Sequence, residues 1–183
     1  MKKFLGYISI LVLTLLTLVS CSGKSVEKLY KAEGVDLGKH TVYKLVTADE
    51  LVNIKNGTDE IVYCFYGSAK NFDSKSAILT IQNQAKQYKI DVIYYVNADD
   101  YNTSAENRKQ LQEKLSINDG SVVPNLFAYN CEDLNTESKK YIFDLSKAEY
   151  SRHFRNEEDK IDYTLLAGFM FREKCNPEEL PNL

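Results

Sequence analysis

The chain has 183 residues, of which 23 are lysine or arginine and 26 are aspartate or glutamate, so its formal net charge is −3. Nucleic-acid binding needs a basic surface, and this balance argues against such a partner. The length fits one domain with a sizeable core.

Residues 1–20 have the pattern of a secretory signal peptide. Lys2 and Lys3 are followed by an uncharged apolar run from Phe4 to Val19, which is too short and too close to the start for a safe prediction of a spanning helix. The four residues that end at Cys21, Leu-Val-Ser-Cys, resemble the bacterial lipobox, in which signal peptidase II cuts before a cysteine that already carries diacylglycerol. An ordinary signal peptide with a chance cysteine, or an uncleaved anchor, is the alternative.

The lipobox resemblance implies that Cys21 becomes a lipidated N-terminus. Two or more acyl chains on one residue hold a protein stably at a membrane, so we expect a lipid-anchored protein on the extracytoplasmic side of a cell membrane. Loss of Lys2 and Lys3 leaves 21 basic and 26 acidic residues, a net charge of −5.

The mature chain divides into three predicted parts. Residues 21–39 are small and polar, and 22–39 would act as a flexible tether with a root-mean-square reach of about 25 Å. Residues 40–176 would form the folded domain, and 177–183 a C-terminal tail.

The domain shows alternating strand and helix patterns. A capping box, Thr47-Ala48-Asp49-Glu50, opens a short helix that Gly57 closes. Apolar residues at three- and four-residue steps predict a helix over 71–88, a second capping box at Thr103 starts another, and a last helix is predicted from about Glu157 to Lys174. Strands are predicted at 41–46, 61–66, 92–96, 122–129 and 140–145.

Strands separated by helices indicate a mainly parallel α/β sheet, and the last two strands add an antiparallel hairpin. Pro124 is tolerated at the very start of its strand, where a Val-Pro bond can be cis.

The chain resembles the thioredoxin-like proteins of bacterial envelopes, whose hallmark is roughly Tyr-Phe-Gly-x-x-x-Cys-x-x-Cys. The match is carried by Tyr63–Gly67, the helix over 71–88, the segment 94–99 and Val123-Pro124. It implies a thioredoxin-like fold, with a central mixed sheet of about five strands flanked by helices, and a cis Val123-Pro124 bond beside the redox position.

The two cysteines of the family motif correspond to Asn71 and Ser74, which cannot form a disulfide. Residues 65–130 contain no cysteine, so thiol–disulfide exchange by the family's route is excluded. Asn and Ser favour helix starts, and we expect these degenerate redox positions to act as a helix cap.

Three further cysteines, Cys64, Cys131 and Cys175, have spacings that match no metal site and no C-x-x-C. Cys64 lies within a strand and is interpreted as a buried apolar residue. Cys131 and Cys175 are a candidate disulfide for an oxidising envelope.

No metal or cofactor is predicted. His40 and His153 are isolated, and the acidic residues Asp99 and Asp100 lack the spacing of a calcium-binding loop, which makes turn and helix-start chemistry the better interpretation. No glycine-rich phosphate loop is present.

The resemblance also implies a peptide groove, in which the backbone before the cis-proline pairs with an extended chain. Its walls would be Tyr66, Asn71, Phe72, Val123 and Pro124. The first hypothesis is therefore a non-enzymatic, redox-inactive binding or accessory module whose partner is an extended peptide or envelope protein. The alternatives are an oxidoreductase that uses Cys131, Cys175 or Cys64, and a purely structural lipoprotein.

Overall fold

The computed structural model describes residues 24–132, 140–176 and 179–181. The fold is α/β and thioredoxin-like, with a five-stranded mixed sheet in the order β1-β3-β2-β4-β5 and helices on both faces. The strands are β1 (Tyr43–Leu45), β2 (Val62–Gly67), β3 (Ile93–Asn97), β4 (Asn125–Glu132) and β5 (Lys140–Asp144). The α-helices are α1 (Val26–Ala32), α2 (Ala48–Asn56), α3 (Phe72–Gln87), α4 (Ala105–Leu115), α5 (Ala148–Ser151) and α6 (Tyr163–Arg172), with 3-10 turns at Ala98–Asp100 and Arg152–Phe154.

Strand β2 lies at the centre of the sheet. It pairs in parallel with β3 and antiparallel with β4, and β4 pairs antiparallel with β5. Every residue of β2 is buried, as expected of a strand that is covered on both faces. The predicted mixed sheet, with antiparallel strands at the end of the chain, is confirmed.

Alternate residues of β2 enter two different cores. Phe65 belongs to the core beneath α3 and α6, whereas Cys64 and Tyr66 belong to the core that also contains Leu51 of α2 and Leu111 of α4. Neighbouring side chains of a strand point to opposite faces, so this one strand supplies both cores and fixes the position of the turn that follows it.

The structure differs from the predicted tether within residues 24–39. Helix α1 lies in this segment, Ser25 caps it by accepting a hydrogen bond from the backbone of Lys28, and Val26 and Tyr30 are buried. The ring of Tyr30 meets that of Tyr95 edge-on at 5.9 Å between centroids. The prediction of a flexible tether is therefore wrong for this helix, because its core-facing residues Val26, Leu29 and Tyr30 occupy a single turn and do not extend into a sustained period in the sequence.

The last helix is shorter than predicted. It begins at Tyr163, where Asp162 caps it by accepting hydrogen bonds from the backbone of Thr164 and Leu165. The acidic residues at 157–159 instead lie in a turn before the helix, and Asp159 has a positive φ of 59°. The short helix α5 and the 3-10 turn after it were not predicted.

Cys21, the signal peptide and most of the predicted tail lie outside the described residues. Among the helices of the described ranges, none has the length and apolar character needed to cross a membrane.

Candidate functional site

The candidate site lies where β2 ends and α3 begins. Asn71 caps α3, and its side-chain oxygen accepts a hydrogen bond from the backbone N–H of Ser74 at 2.8 Å. The Ser74 hydroxyl is completely buried and accepts a hydrogen bond from the backbone N–H of Ser68 at 3.2 Å. The expected helix cap is confirmed, and both positions that resemble the family's cysteines serve as hydrogen-bond acceptors.

The Val123-Pro124 peptide bond is cis, as the resemblance implies. Strands β2 and β4 pair antiparallel with Tyr66 opposite Asn125. The residues just before Asn125 therefore run beside those just after Tyr66, which brings the cis bond alongside the turn that leads into α3.

Tyr163, the first residue of α6, links three parts of the site. Its hydroxyl donates a hydrogen bond to the carbonyl oxygen of Pro124 at 3.4 Å. Burial raises the pKa of Tyr163, and the nearby carboxylate of Asp73, in the first turn of α3, raises it further. The Tyr163 hydroxyl thus bonds the start of α6 to the cis-proline, and the start of α3 lies near enough for the charge of Asp73 to act on it.

Phe72 is the exposed apolar residue of this junction. It is the first residue of α3, and 82 % of its surface is exposed to solvent. Val123 is half-buried and packs against the core on the α2 and α4 side of the sheet. In the part of the chain that the structure describes, no hydrogen bond joins the backbone of Val123 to another residue. An apolar side chain and an unused backbone edge therefore stand at the same end of the sheet.

Tyr66 does not line an open groove. Its side chain is completely buried in the core on the α2 and α4 side of the sheet, and burial raises its pKa to about 12. Because β2 residues alternate between faces, the prediction that Tyr66 forms an accessible wall does not hold. Pro124 is buried as well, so Asn71, Phe72 and Val123 remain as the accessible residues of the candidate groove.

The turn after β2 is held by contacts that the sequence did not reveal. The Ser68 hydroxyl donates to the carboxylate of Asp99 at 2.7 Å and accepts from the backbone N–H of Lys70 at 3.1 Å. The Tyr95 hydroxyl donates to the carbonyl oxygen of Gly67 at 2.7 Å. The sequence predicted that Asp99 acts within its own loop, in a turn or at a helix start. In the structure its carboxylate also holds the turn that follows β2.

The loop that carries the cis bond is tied to the far edge of the sheet by Asp144, a buried carboxylate. It accepts hydrogen bonds from the backbone of Asn118, the side-chain amide of Asn125 and the backbone and hydroxyl of Ser146. Asn118 and Asn125 flank residues 119–124, so Asp144 fixes both ends of the loop. Asp144 reaches this loop because β5 pairs with β4, where Phe127 lies opposite Asp144. No local pattern in the sequence indicates this role of Asp144.

The three cysteines of the described ranges are thiols, and all are completely buried. Burial raises the pKa of Cys64, as expected of a buried apolar residue in a strand. Burial also raises the pKa of Cys175, and a hydrogen bond with the thiol of Cys131 raises it further. The structure thus brings Cys131 and Cys175 together in one core, and their oxidation to a disulfide stays a prediction.

A cleft of about 670 Å³ lies at the opposite end of β2 from the candidate groove. Its lining includes Ile61, Tyr63, Tyr88 and Phe171, and none of the predicted groove residues contributes to it. Within the described ranges, no group of three or more His, Cys, Asp or Glu side chains has an arrangement that could hold a metal ion. His153 contacts the carbonyl oxygen of Pro181 at 2.8 Å, which agrees with its interpretation as a surface or capping residue.

No protein-family model matches this chain, and no curated protein matches its sequence. The site must therefore be interpreted from its own geometry, which is that of a thioredoxin-like fold with the hydrogen-bonding side chains of Asn71 and Ser74 at the start of α3.

Proposed function

We propose that the protein is a lipid-anchored, extracytoplasmic member of the thioredoxin-like envelope proteins whose domain binds an extended polypeptide and performs no redox chemistry. Cys21 is the anchoring residue, and Phe72, Asn71 and Val123 form the binding surface, with the buried Pro124 fixing the backbone of Val123 through the cis bond. The observation that carries the proposal is the exposure of Phe72, at 82 %, beside a cis Val-Pro bond. A large apolar side chain has no stabilising role in the folded domain when it is left in water.

The backbone of Val123 supports binding by strand addition. An extended chain that pairs with its N–H and C=O would satisfy both groups, while Phe72 would contact an apolar side chain of that peptide. The bound peptide would be recognised mainly through its backbone, so we expect the surface to accept peptides of several sequences.

The cysteines support a non-enzymatic role over the oxidoreductase alternative. A nucleophilic thiol must be exposed and have a lowered pKa, whereas Cys64 and Cys175 are completely buried and burial raises the pKa of both. Asn71 and Ser74 occupy the helix start, where the thiolate of the family would be stabilised.

The test is chemical crosslinking from the native membrane, with the wild type compared with Phe72→Ser and Val123→Glu. The matched control is Leu79→Ser, a second exposed apolar residue on α3, 37 % exposed. The proposal expects both site variants to lose a polypeptide adduct that the control retains. Turnover of insulin disulfides by the wild type would contradict the redox-inactive assignment.

A further inference from the structure

Lysine side chains line the outer face of α1. Lys28 and Lys31 lie on the helix, Lys24 directly precedes its cap, and all three are exposed. Residues at steps of three and four share one face of a helix. The opposite face carries Val26 and Tyr30, which are buried. Helix α1 is therefore fixed to the domain by its apolar side and turns three lysines outwards, with the half-buried Glu27 as the one acidic side chain of the helix itself.

The turn after β2 extends this basic face. A cleft of about 280 Å³ between α1 and that turn is lined by Lys24, Lys28 and Lys70, and the side chain of Lys70 is 74 % exposed. The cleft also contains two carboxylates, and each faces a lysine. Glu33 lies 3.2 Å from Lys75, and Asp99 lies 3.8 Å from Lys70. Lys24, Lys28, Lys31 and Lys70 are called the basic face below.

The position of Cys21 limits how far this face can be from an anchor. Ser25 lies four residue steps after Cys21, and an extended chain spans at most about 3.6 Å per step, so the two are no more than about 14 Å apart. The helix begins at once after Ser25. A lipid on Cys21 would therefore hold α1 close to the headgroups, in place of the predicted 18-residue tether.

We propose that the basic face lies on anionic phospholipid headgroups and fixes the orientation of the domain on the membrane. This inference rests on the proposed lipidation of Cys21. A lysine near an anionic surface favours the bound state by about fivefold, so three lysines together favour it by about a hundredfold. Lys70 stands two residues before Phe72, and docking therefore brings the candidate groove next to the bilayer surface.

The test uses the full-length acylated protein, reconstituted into vesicles of phosphatidylcholine alone or of an equal mixture with phosphatidylglycerol. Lysines are modified with a water-soluble succinimidyl ester, and each site is quantified by mass spectrometry. We expect the four lysines of the basic face, Lys24, Lys28, Lys31 and Lys70, to react at least about fivefold more slowly in the mixed vesicles. Lys109 on α4, 69 % exposed, serves as the control and should react equally in both.

A variant in which glutamine replaces three lysines distinguishes electrostatic docking from steric shielding of the lysines by the membrane. In Lys24→Gln/Lys28→Gln/Lys31→Gln the protection of Lys70 should be lost, and Lys109→Gln should leave it unchanged. Added salt should also remove the protection, because exposed charges are screened. The three replaced side chains are exposed, so the variant should keep its fold, which circular dichroism checks.

The possible failures are distinct. The mass of the Cys21 peptide reports acylation directly, and a chain without acyl groups contradicts both the anchoring and the docking. An acylated chain whose lysines react equally in both vesicles contradicts the docking alone. Protection in native membranes without protection in mixed vesicles would assign the basic face to an acidic protein and overturn the assignment to lipid.

Discussion

The side-chain oxygen of Asn71 accepts a hydrogen bond from the backbone N–H of Ser74 at 2.8 Å, and this bond joins the two positions at which the resemblance places cysteines. With cysteines at these positions, the helix start would stabilise the first as a thiolate, and the second, one turn later, would resolve a mixed disulfide. Here the same helix start is completed by a cap. The two positions that the resemblance aligns with cysteines therefore carry hydrogen-bonding side chains in this structure.

Loss of the Asn71 cap should destabilise the domain modestly. We expect Asn71→Ala to lower the free energy of unfolding by about 1 kcal/mol, because the first turn of α3 loses a hydrogen-bond acceptor. Urea denaturation followed by circular dichroism measures the effect. Asn71→Asp, which keeps an acceptor at the cap, is the control and should stay near the wild type. Equal stability of Asn71→Ala would show that the cap has no energetic role.

Cysteines restored at both positions should restore the chemistry. In Asn71→Cys/Ser74→Cys the two thiols would stand at the start of α3 beside a cis-proline, and we expect an intramolecular disulfide and measurable insulin reduction. The single variant Asn71→Cys lacks a resolving thiol and should show no turnover. A double variant that folds, yet has two free thiols after oxidation, would contradict the alignment of this junction with the family motif.

The native cysteines should be unreactive while the domain is folded. Cys64, Cys131 and Cys175 are completely buried, so alkylation requires an opening of the core and should be at least about a hundredfold slower than in the unfolded chain. Iodoacetamide labelling with and without denaturant measures this ratio. Rapid native labelling of one cysteine would favour the oxidoreductase alternative. After unfolding without reductant, labelling of Cys64 alone would show that Cys131 and Cys175 are disulfide-bonded.

The domain should lose stability at alkaline pH. Burial raises the pKa of Tyr66 to about 12, and it also raises the pKa values of six further tyrosines. An unfolded tyrosine ionises near pH 10, so above that pH the folded state binds more protons and stability falls as pH rises. Below pH 10 the contribution is fully present. The six are Tyr30, Tyr43, Tyr63, Tyr95, Tyr129 and Tyr163.

Phenolate absorbance and circular dichroism during an alkaline titration check this expectation. The buried tyrosines should ionise together with the loss of secondary structure. Ionisation of every tyrosine of the domain near pH 10 with the circular dichroism unchanged would contradict it.

Local patterns predicted the elements that local chemistry determines. The capping box of Thr47 and Glu50 is present in the structure, and Asn71 caps α3 as expected. The all-apolar run of β2 indicated a strand covered on both sides. The resemblance added the cis Val123-Pro124 bond, which periodicity alone left open.

Contacts between distant segments were beyond these patterns. Val26, Leu29 and Tyr30 span too short a stretch to mark α1 as a helix, and Tyr30 is buried against residues far along the chain, among them Tyr95. Asp99 and Asp144 are ordinary loop and strand-end residues in the sequence, and their roles depend on Ser68 and Asn118. The resemblance predicted Tyr66 as a groove residue from its position in the motif alone. That position does not say which face of β2 the side chain occupies.

The most direct test of polypeptide binding without redox chemistry is site-specific photo-crosslinking in intact cells. A photo-reactive phenylalanine analogue replaces Phe72, or Leu79 on the same helix as the control, and trapped peptides are identified by mass spectrometry. We predict adducts at position 72 that contain extended segments of other polypeptides, and few at position 79. Absence of adducts at 72, or equal adducts at both positions, would contradict the account.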